Sequence, residues 1–164
     1  MTAAGLDFLF CGINPGRWSG AVGHHFAHPG NRFWKALHLA ELTDRQLEPS
    51  EERRLLDYGI GITNLVTRTT AAAADLAPDE LRKGAVALDR KLRRLCPSTV
   101  AFLGMGAFRV AFDRPHAPVG QQGELVGGTR VWVLPNPSGL QATYGLIEVV
   151  ELLRALRDSV RAGR

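Results

Sequence analysis

Apolar residues in this chain gather into short runs that stop at glycine or proline. Between the runs they recur at three- and four-residue spacing. Short apolar runs bounded in this way predict buried strands. Leu6–Cys11 is the first and stops at Gly12-Ile13-Asn14-Pro15-Gly16. Gly61–Val66 and Thr99–Leu103 follow, and Arg130–Leu134 leads into Pro135-Asn136-Pro137-Ser138-Gly139-Leu140. Glu124–Val126 and Arg130–Leu134 flank Gly127-Gly128-Thr129, a pattern that predicts a hairpin.

The helical spacing predicts five further elements. Asn31–Glu41 turns Phe33, Trp34 and Leu37 inward, with Asn31 as its cap. Ser50–Tyr58 starts on a partial capping signal at Ser50 and ends at Gly59. Asp75–Leu95 gives the clearest pattern: Leu81, Ala85, Leu88, Leu92 and Leu95 form a stripe opposite Arg82, Lys83, Arg90, Lys91, Arg93 and Arg94. A short helix follows Gly104 and reaches Phe112, and Gly145–Val160 places Ile147, Val150, Leu153 and Leu156 inward. Thr67–Ala74 and Arg114–Gly120 read as loops. Strands alternating with helices predict an α/β fold whose mostly parallel sheet is covered on both faces.

The totals narrow this little. A length of 164 residues predicts one domain, 1–164, able to bury its core without disulfides or metals. Cys11 and Cys96 lie far apart and form no CxxC pair, so a reducing, cytoplasmic location is expected. No apolar run reaches the ~18 residues that span a bilayer, and no basic segment with a following apolar region opens the chain, so neither membrane insertion nor secretion is expected. The net charge of +4 suits a polyanionic partner without singling one out.

Candidate chemistry collects where the strands end. In open α/β sheets ligands bind at the carboxyl edge of the strands, and three strand ends bring Asn14, Asn64 and the Asn136–Leu140 loop there. Pro15 restricts Asn14 to extended backbone. Its amide can orient a water but hardly deprotonate one, which suits a reaction whose leaving group departs largely unaided. A tight turn chosen for packing explains the same residues. Phe26, with His28 and Phe33 nearby, offers a face for a planar base, although core packing accounts for Phe33 and Trp34. Asn64 reads either as a contact to a base edge or as a strand-end cap. Leu140 is an apolar side chain on a rigid polar turn. It reads either as a wedge of the kind that unstacks bases or as a side chain packed under the last helix. His24, His25 and His28 fit no zinc spacing, so no metal is expected. Asp89 reads as an ion pair with Arg93 one turn on, with a catalytic role as the alternative.

Four segments in order, Gly12–Gly16, His28–Trp34, Gly61–Val66 and Asn136–Leu140, resemble the mismatch-specific uracil/thymine DNA glycosylases over about Leu6 to Leu156. The resemblance implies a three-layer α/β/α sandwich around a short, mostly parallel sheet. It implies hydrolysis of the N-glycosidic bond of uracil opposite guanine in double-stranded DNA, with ethenocytosine and thymine as related substrates. It implies a monomer that needs no cofactor or metal and leaves an abasic site uncut. By position, Asn14 is expected to hold the attacking water, Phe26 to stack on the base, and Ile13 and Phe26 to meet the uracil edge through backbone groups. Gly16 stands where other families carry a ring that excludes a 5-methyl group. Asn64 matches the asparagine that contacts the pyrimidine in the thymine-glycosylase branch, and Ser19 is a nearby hydroxyl. Asn136, Ser138, Gly139 and Leu140 match the DNA insertion loop. Gln141 and Ala142 stand where some relatives have an arginine, and Arg17-Trp18 is bulkier than expected. No histidine lies in the insertion loop, which predicts slow excision and tight product binding. A silent DNA-binding module and a small-molecule nucleotide hydrolase are the competing readings.

Overall fold

The computed structural model describes residues 1–163. Five strands form one sheet in the order β2-β1-β3-β5-β4: β1 Phe8–Gly12, β2 Ile60–Asn64, β3 Thr99–Leu103, β4 Gly120–Gln121 and β5 Arg130–Leu134. Every pairing is parallel except that of β4 with β5. The helices are α1 Arg17–Val22, α2 Phe33–Leu39, α3 Pro78–Leu95, α4 Met105–Ala111 and α5 Leu146–Ala162, with a 3-10 helix at Pro49–Tyr58.

Alternation along the strands builds two cores, because successive side chains point to opposite faces. Phe8, Phe10, Ile60, Ile62, Ala101, Leu103, Trp132 and Leu134 face α2 and α5. Leu9, Cys11, Val100, Phe102, Val131 and Val133 face α3 and α4. The strands are apolar on both sides, as parallel strands buried between helix layers must be. The expected α/β/α sandwich with its short sheet is therefore the fold observed.

Several elements differ from expectation. The hairpin does not form as predicted: Glu124–Val126 is no strand, and β5 pairs instead with Gly120–Gln121. Only the turn survives, as a bridge between Val126 and Thr129 with Gly127 and Gly128 at φ 57° and 79°. The Ser50–Tyr58 helix is a 3-10 helix that begins at Pro49. Its start is tied by the Glu51 carboxylate, which accepts from the Glu48 amide at 3.1 Å, so Ser50 is not the cap. Gly59 ends it at φ 70°, as expected. The strong helix starts at Pro78, and Leu95 is only half-buried. Ile147 points outward and is 71% exposed, while Val149 takes the inward place beside Val150, Leu153 and Leu156. Thr67–Ala74 is not wholly irregular: Thr70 bridges to Gly16, and a turn of 3-10 helix spans Ala73–Asp75. α2 starts at Phe33 with Arg32, not Asn31, in the cap position, although Asn31 Oδ1 accepts from the Phe33 amide at 2.9 Å.

Candidate active site

The loop after β1 is held against the chain that follows β2. Leu65 and Val66 donate their amides to the carbonyls of Gly12 and Ile13, at 2.8 and 2.9 Å, and Thr70 donates to Pro15. These bonds continue the β1–β2 ladder beyond the sheet and carry Asn14 to its carboxyl edge. Asn14 Nδ2 donates to the Arg68 carbonyl at 2.8 Å and to Thr70 Oγ1 at 2.7 Å. A carbonyl only accepts, so the amide nitrogen must face Arg68. Oδ1 is left as the acceptor, and no described residue donates to it. Thr70 Oγ1 passes its own proton to the Ala72 carbonyl at 2.7 Å, which fixes the direction of the relay. Arg68 is itself anchored, its guanidinium on the Glu80 carboxylate at 2.8 and 3.0 Å.

Asn14 lines a cleft of about 1130 Å³ together with Ile13, Gly16, Ser19, Phe26, Asn64, Asn136, Ser138, Gly139 and Leu140. All ten residues expected at the site therefore share one cavity. They come from four separate segments of the chain.

Gly12, itself buried, sets the spacing behind Asn64 and Phe26. A Cβ there would stand 2.6 Å from Asn64 Oδ1 and 3.2 Å from Phe26 Cζ. The missing side chain lets the amide of Asn64 and the ring of Phe26 approach each other over bare backbone. Phe26 has φ 52°, a left-handed backbone that a bulky residue seldom adopts. Its ring lies on Phe33, with centroids 4.3 Å apart, and Phe33 is buried in the core. The Asn64 side chain makes no hydrogen bond to a described residue, so it does not act as a strand-end cap here. Its donor and acceptor remain available toward the cleft.

The other residues sort by what they touch. Ser19 Oγ accepts from the Ala27 amide at 3.0 Å and ties α1 to the segment beyond Phe26. The Ile13 side chain packs over Gly104, where a Cβ would stand 2.8 Å from its Cδ1. His28 Nδ1 accepts from the Gly30 amide at 3.1 Å, so it is a loop hydrogen-bonding residue. Among the described residues no group of three or more His, Cys, Asp or Glu side chains is placed to hold a metal ion. Asp89 pairs with Arg93 at 2.8 Å and accepts from the Gly127 amide at 2.9 Å. Its carboxyl sits below the usual aspartate range, chiefly through the Arg93 hydrogen bond. Asp89 thus joins α3 to the Gly127 turn and lies outside the cleft.

The last loop is rigid at its base and bare at its tip. Asn136 Oδ1 accepts from Ser138 N at 3.0 Å, and Ser138 Oγ accepts from Leu140 N at 3.3 Å. Arg32 donates its amide to the Pro137 carbonyl at 2.9 Å and its guanidinium to the Tyr144 carbonyl at 2.8 Å. A Cβ on Gly139 would sit 2.5 Å from the Gly30 carbonyl oxygen, so this loop rests directly on the His28–Gly30 segment. Leu140, on this frame, is 94% exposed and packs under nothing.

The family described as the uracil DNA glycosylase superfamily matches residues 1–158, almost the whole chain. The chain belongs to the uracil DNA glycosylase superfamily. Membership supports a DNA glycosylase, a hydrolase acting on uracil in DNA. Among the described residues no helix is long and apolar enough to cross a membrane.

Two residues that hold Asn14 at the glycosylase cleft are not evident in the sequence, and of them only Thr70 lines the cleft. Thr70 and Arg68 lie in the segment read as loop, and they meet Asn14 across more than fifty positions of chain. The local signal was slight: a Thr-rich, small-residue stretch directly after an apolar strand.

Proposed function

We propose that this chain is a mismatch-directed, monofunctional glycosylase. It flips uracil, and related pyrimidines such as ethenocytosine and thymine, out of double-stranded DNA opposite guanine. It hydrolyses the N-glycosidic bond and leaves an abasic site, acting as a monomer in the cytoplasm. The observation that carries this reading is the fixed amide of Asn14, whose nitrogen is spent on Arg68 and Thr70 and whose oxygen is left to accept.

In this reading the glycosidic bond breaks with its electron pair leaving on the base. A water held at Asn14 Oδ1 then adds to the sugar carbon. Its proton passes to solvent or to the departing base. An amide is too weak a base to generate hydroxide, so bond breaking runs ahead of attack and the enzyme is slow. Phe26 supplies the stacking face, Asn64 meets the pyrimidine edge, and the backbone of Ile13 and Phe26 reads the remaining polar edge. Open space at Gly16, where a Cβ would meet nothing within 4 Å, supports tolerance of a 5-methyl group. The exposed Leu140 fills the gap in the stack, and the backbone of Asn136, Ser138 and Gly139 meets the DNA around it. Extrusion costs a few kcal/mol and is cheapest at a mispair, which gives selectivity before the pocket is reached.

The test is a base-release panel on duplexes carrying uracil, thymine or ethenocytosine opposite guanine, and uracil opposite adenine, each scored by alkaline cleavage at the abasic site. The reading expects release opposite guanine, with uracil opposite adenine much poorer. Binding without release at any base would instead identify a silent DNA-binding module.

A further inference from the structure

Glu52 lies on the 3-10 helix, outside the residues that line the cleft, yet its carboxylate reaches the segment that carries Phe26. One oxygen, Oε2, accepts from both the His25 amide and His25 Nδ1, each at 2.9 Å. A carboxylate only accepts, so Nδ1 carries the proton of that pair. The other oxygen lies 3.6 Å from His24 Nδ1, a buried atom with no hydrogen-bond partner among the described residues. On its far side, residue 25 accepts from Trp34 Nε1 at 3.3 Å. His25 is therefore gripped at its amide, its ring and its carbonyl, immediately before the left-handed Phe26.

That backbone conformation is strained for a bulky residue and persists only where the surroundings over-determine it. The Phe33 ring holds Phe26 from beneath. On the preceding side Glu52 takes two of the three hydrogen bonds that hold His25, and Trp34 supplies the third. Its side chain is 15% exposed, so water competes weakly for these bonds. Burial pushes the carboxyl up, but the His25 amide and ring outweigh it, and Glu52 remains below the usual glutamate range.

We infer that Glu52 is a positioning residue for base excision: it clamps His25 so that Phe26 is locked in its left-handed conformation as the face on which the extruded base stacks. This rests on the proposed glycosylase function. Glu52 touches no substrate, and its effect passes through residue 25.

The test separates reach from charge. E52Q keeps an oxygen where both His25 donors end, and its amide nitrogen can face His24 Nδ1. E52D keeps the charge but is one methylene short, so His25 must move or lose its bonds. Single-turnover release of uracil from a uracil·guanine duplex is measured for wild type, E52A, E52Q and E52D, with affinity for an abasic-site duplex, which has no base to stack. Expected are losses on the order of tenfold to a hundredfold for E52A and E52D, recovery of most of that loss by E52Q, and unchanged abasic-site affinity in all three. An active E52D with a crippled E52Q would overturn the inference, as would wild-type release by E52A or a parallel fall in abasic-site affinity. A wild-type protein that releases no base would overturn the glycosylase reading itself, which the variants alone cannot do.

Discussion

Asn14 and Thr70 meet side chain to side chain at 2.7 Å, and the direction of that hydrogen bond determines what Asn14 can do. Thr70 must accept, because its own proton goes to the Ala72 carbonyl. Asn14 must donate, so its oxygen points elsewhere. A loop that looks shapeless in the sequence thus decides which end of the amide is offered to the cleft.

Removing the Thr70 hydroxyl should expose this dependence. T70V keeps the shape but leaves half of the Asn14 amide nitrogen unpaired and free to rotate. A lost hydrogen bond of this kind is worth about 1 kcal/mol net, and 1.4 kcal/mol in a barrier is about tenfold in rate. Single-turnover excision should fall roughly fivefold while duplex affinity holds. T70S, which retains the hydroxyl, should lie close to wild type.

Gly12 gives a second prediction. In G12A the added methyl would occupy the space between Asn64 and Phe26, at 2.6 and 3.2 Å from their nearest atoms. It should block base binding more than it harms the fold, because Asn64 makes no bond that the methyl would break. Excision is expected to be nearly abolished with only a modest drop in melting temperature. Excision near the wild-type rate would show that the spacing of Asn64 and Phe26 does not control base binding.

Leu140 should matter only when DNA is present. At 94% exposure it contributes nothing to the core, so L140A should leave stability within about 0.5 kcal/mol of wild type. Excision should fall most for uracil opposite adenine and least opposite guanine, because a matched pair resists opening. Parallel rates on both duplexes would count against a wedge.

The Arg68–Glu80 pair predicts an acid response. The Arg68 hydrogen bond holds Glu80 down to about 2, well below an unfolded glutamate near ~4.3. The contribution of the pair is therefore complete above the unfolded value and disappears as pH falls through the folded one. E80Q should lower the melting temperature at pH 7, with the difference shrinking below about pH 4 and gone only below about pH 2. Arg68 is exposed and Glu80 is only half-buried, so the difference should be small and should shrink in high salt.

How far the fold could be read from the sequence follows from where each element gets its stability. β1, β2, β3 and β5 are buried on both faces, so their composition marks them. α3 shows its stripe because one face packs and the other is solvated. By contrast α1 buries no residue, so it has no periodicity to detect. Gly127-Gly128 marks a turn correctly, but which residues pair with β5 is decided by the sheet, and the pairing moves to Gly120–Gln121. The outward turn of Ile147 reflects where the core ends, which spacing alone does not reveal. At the site, Asn14, Asn64, Phe26 and Leu140 stood out as residue types that are costly or strange in their local setting. Thr70, Arg68 and Glu52 are ordinary where they stand, and gain meaning only from partners distant in the chain.

The most direct test of the account is the rate of uracil release from a uracil·guanine duplex by Asn14→Ala, with duplex affinity measured in the same samples. The expected result is binding close to wild type and release reduced to background, because the oriented acceptor is gone. Release at the wild-type rate would contradict the role assigned to this amide.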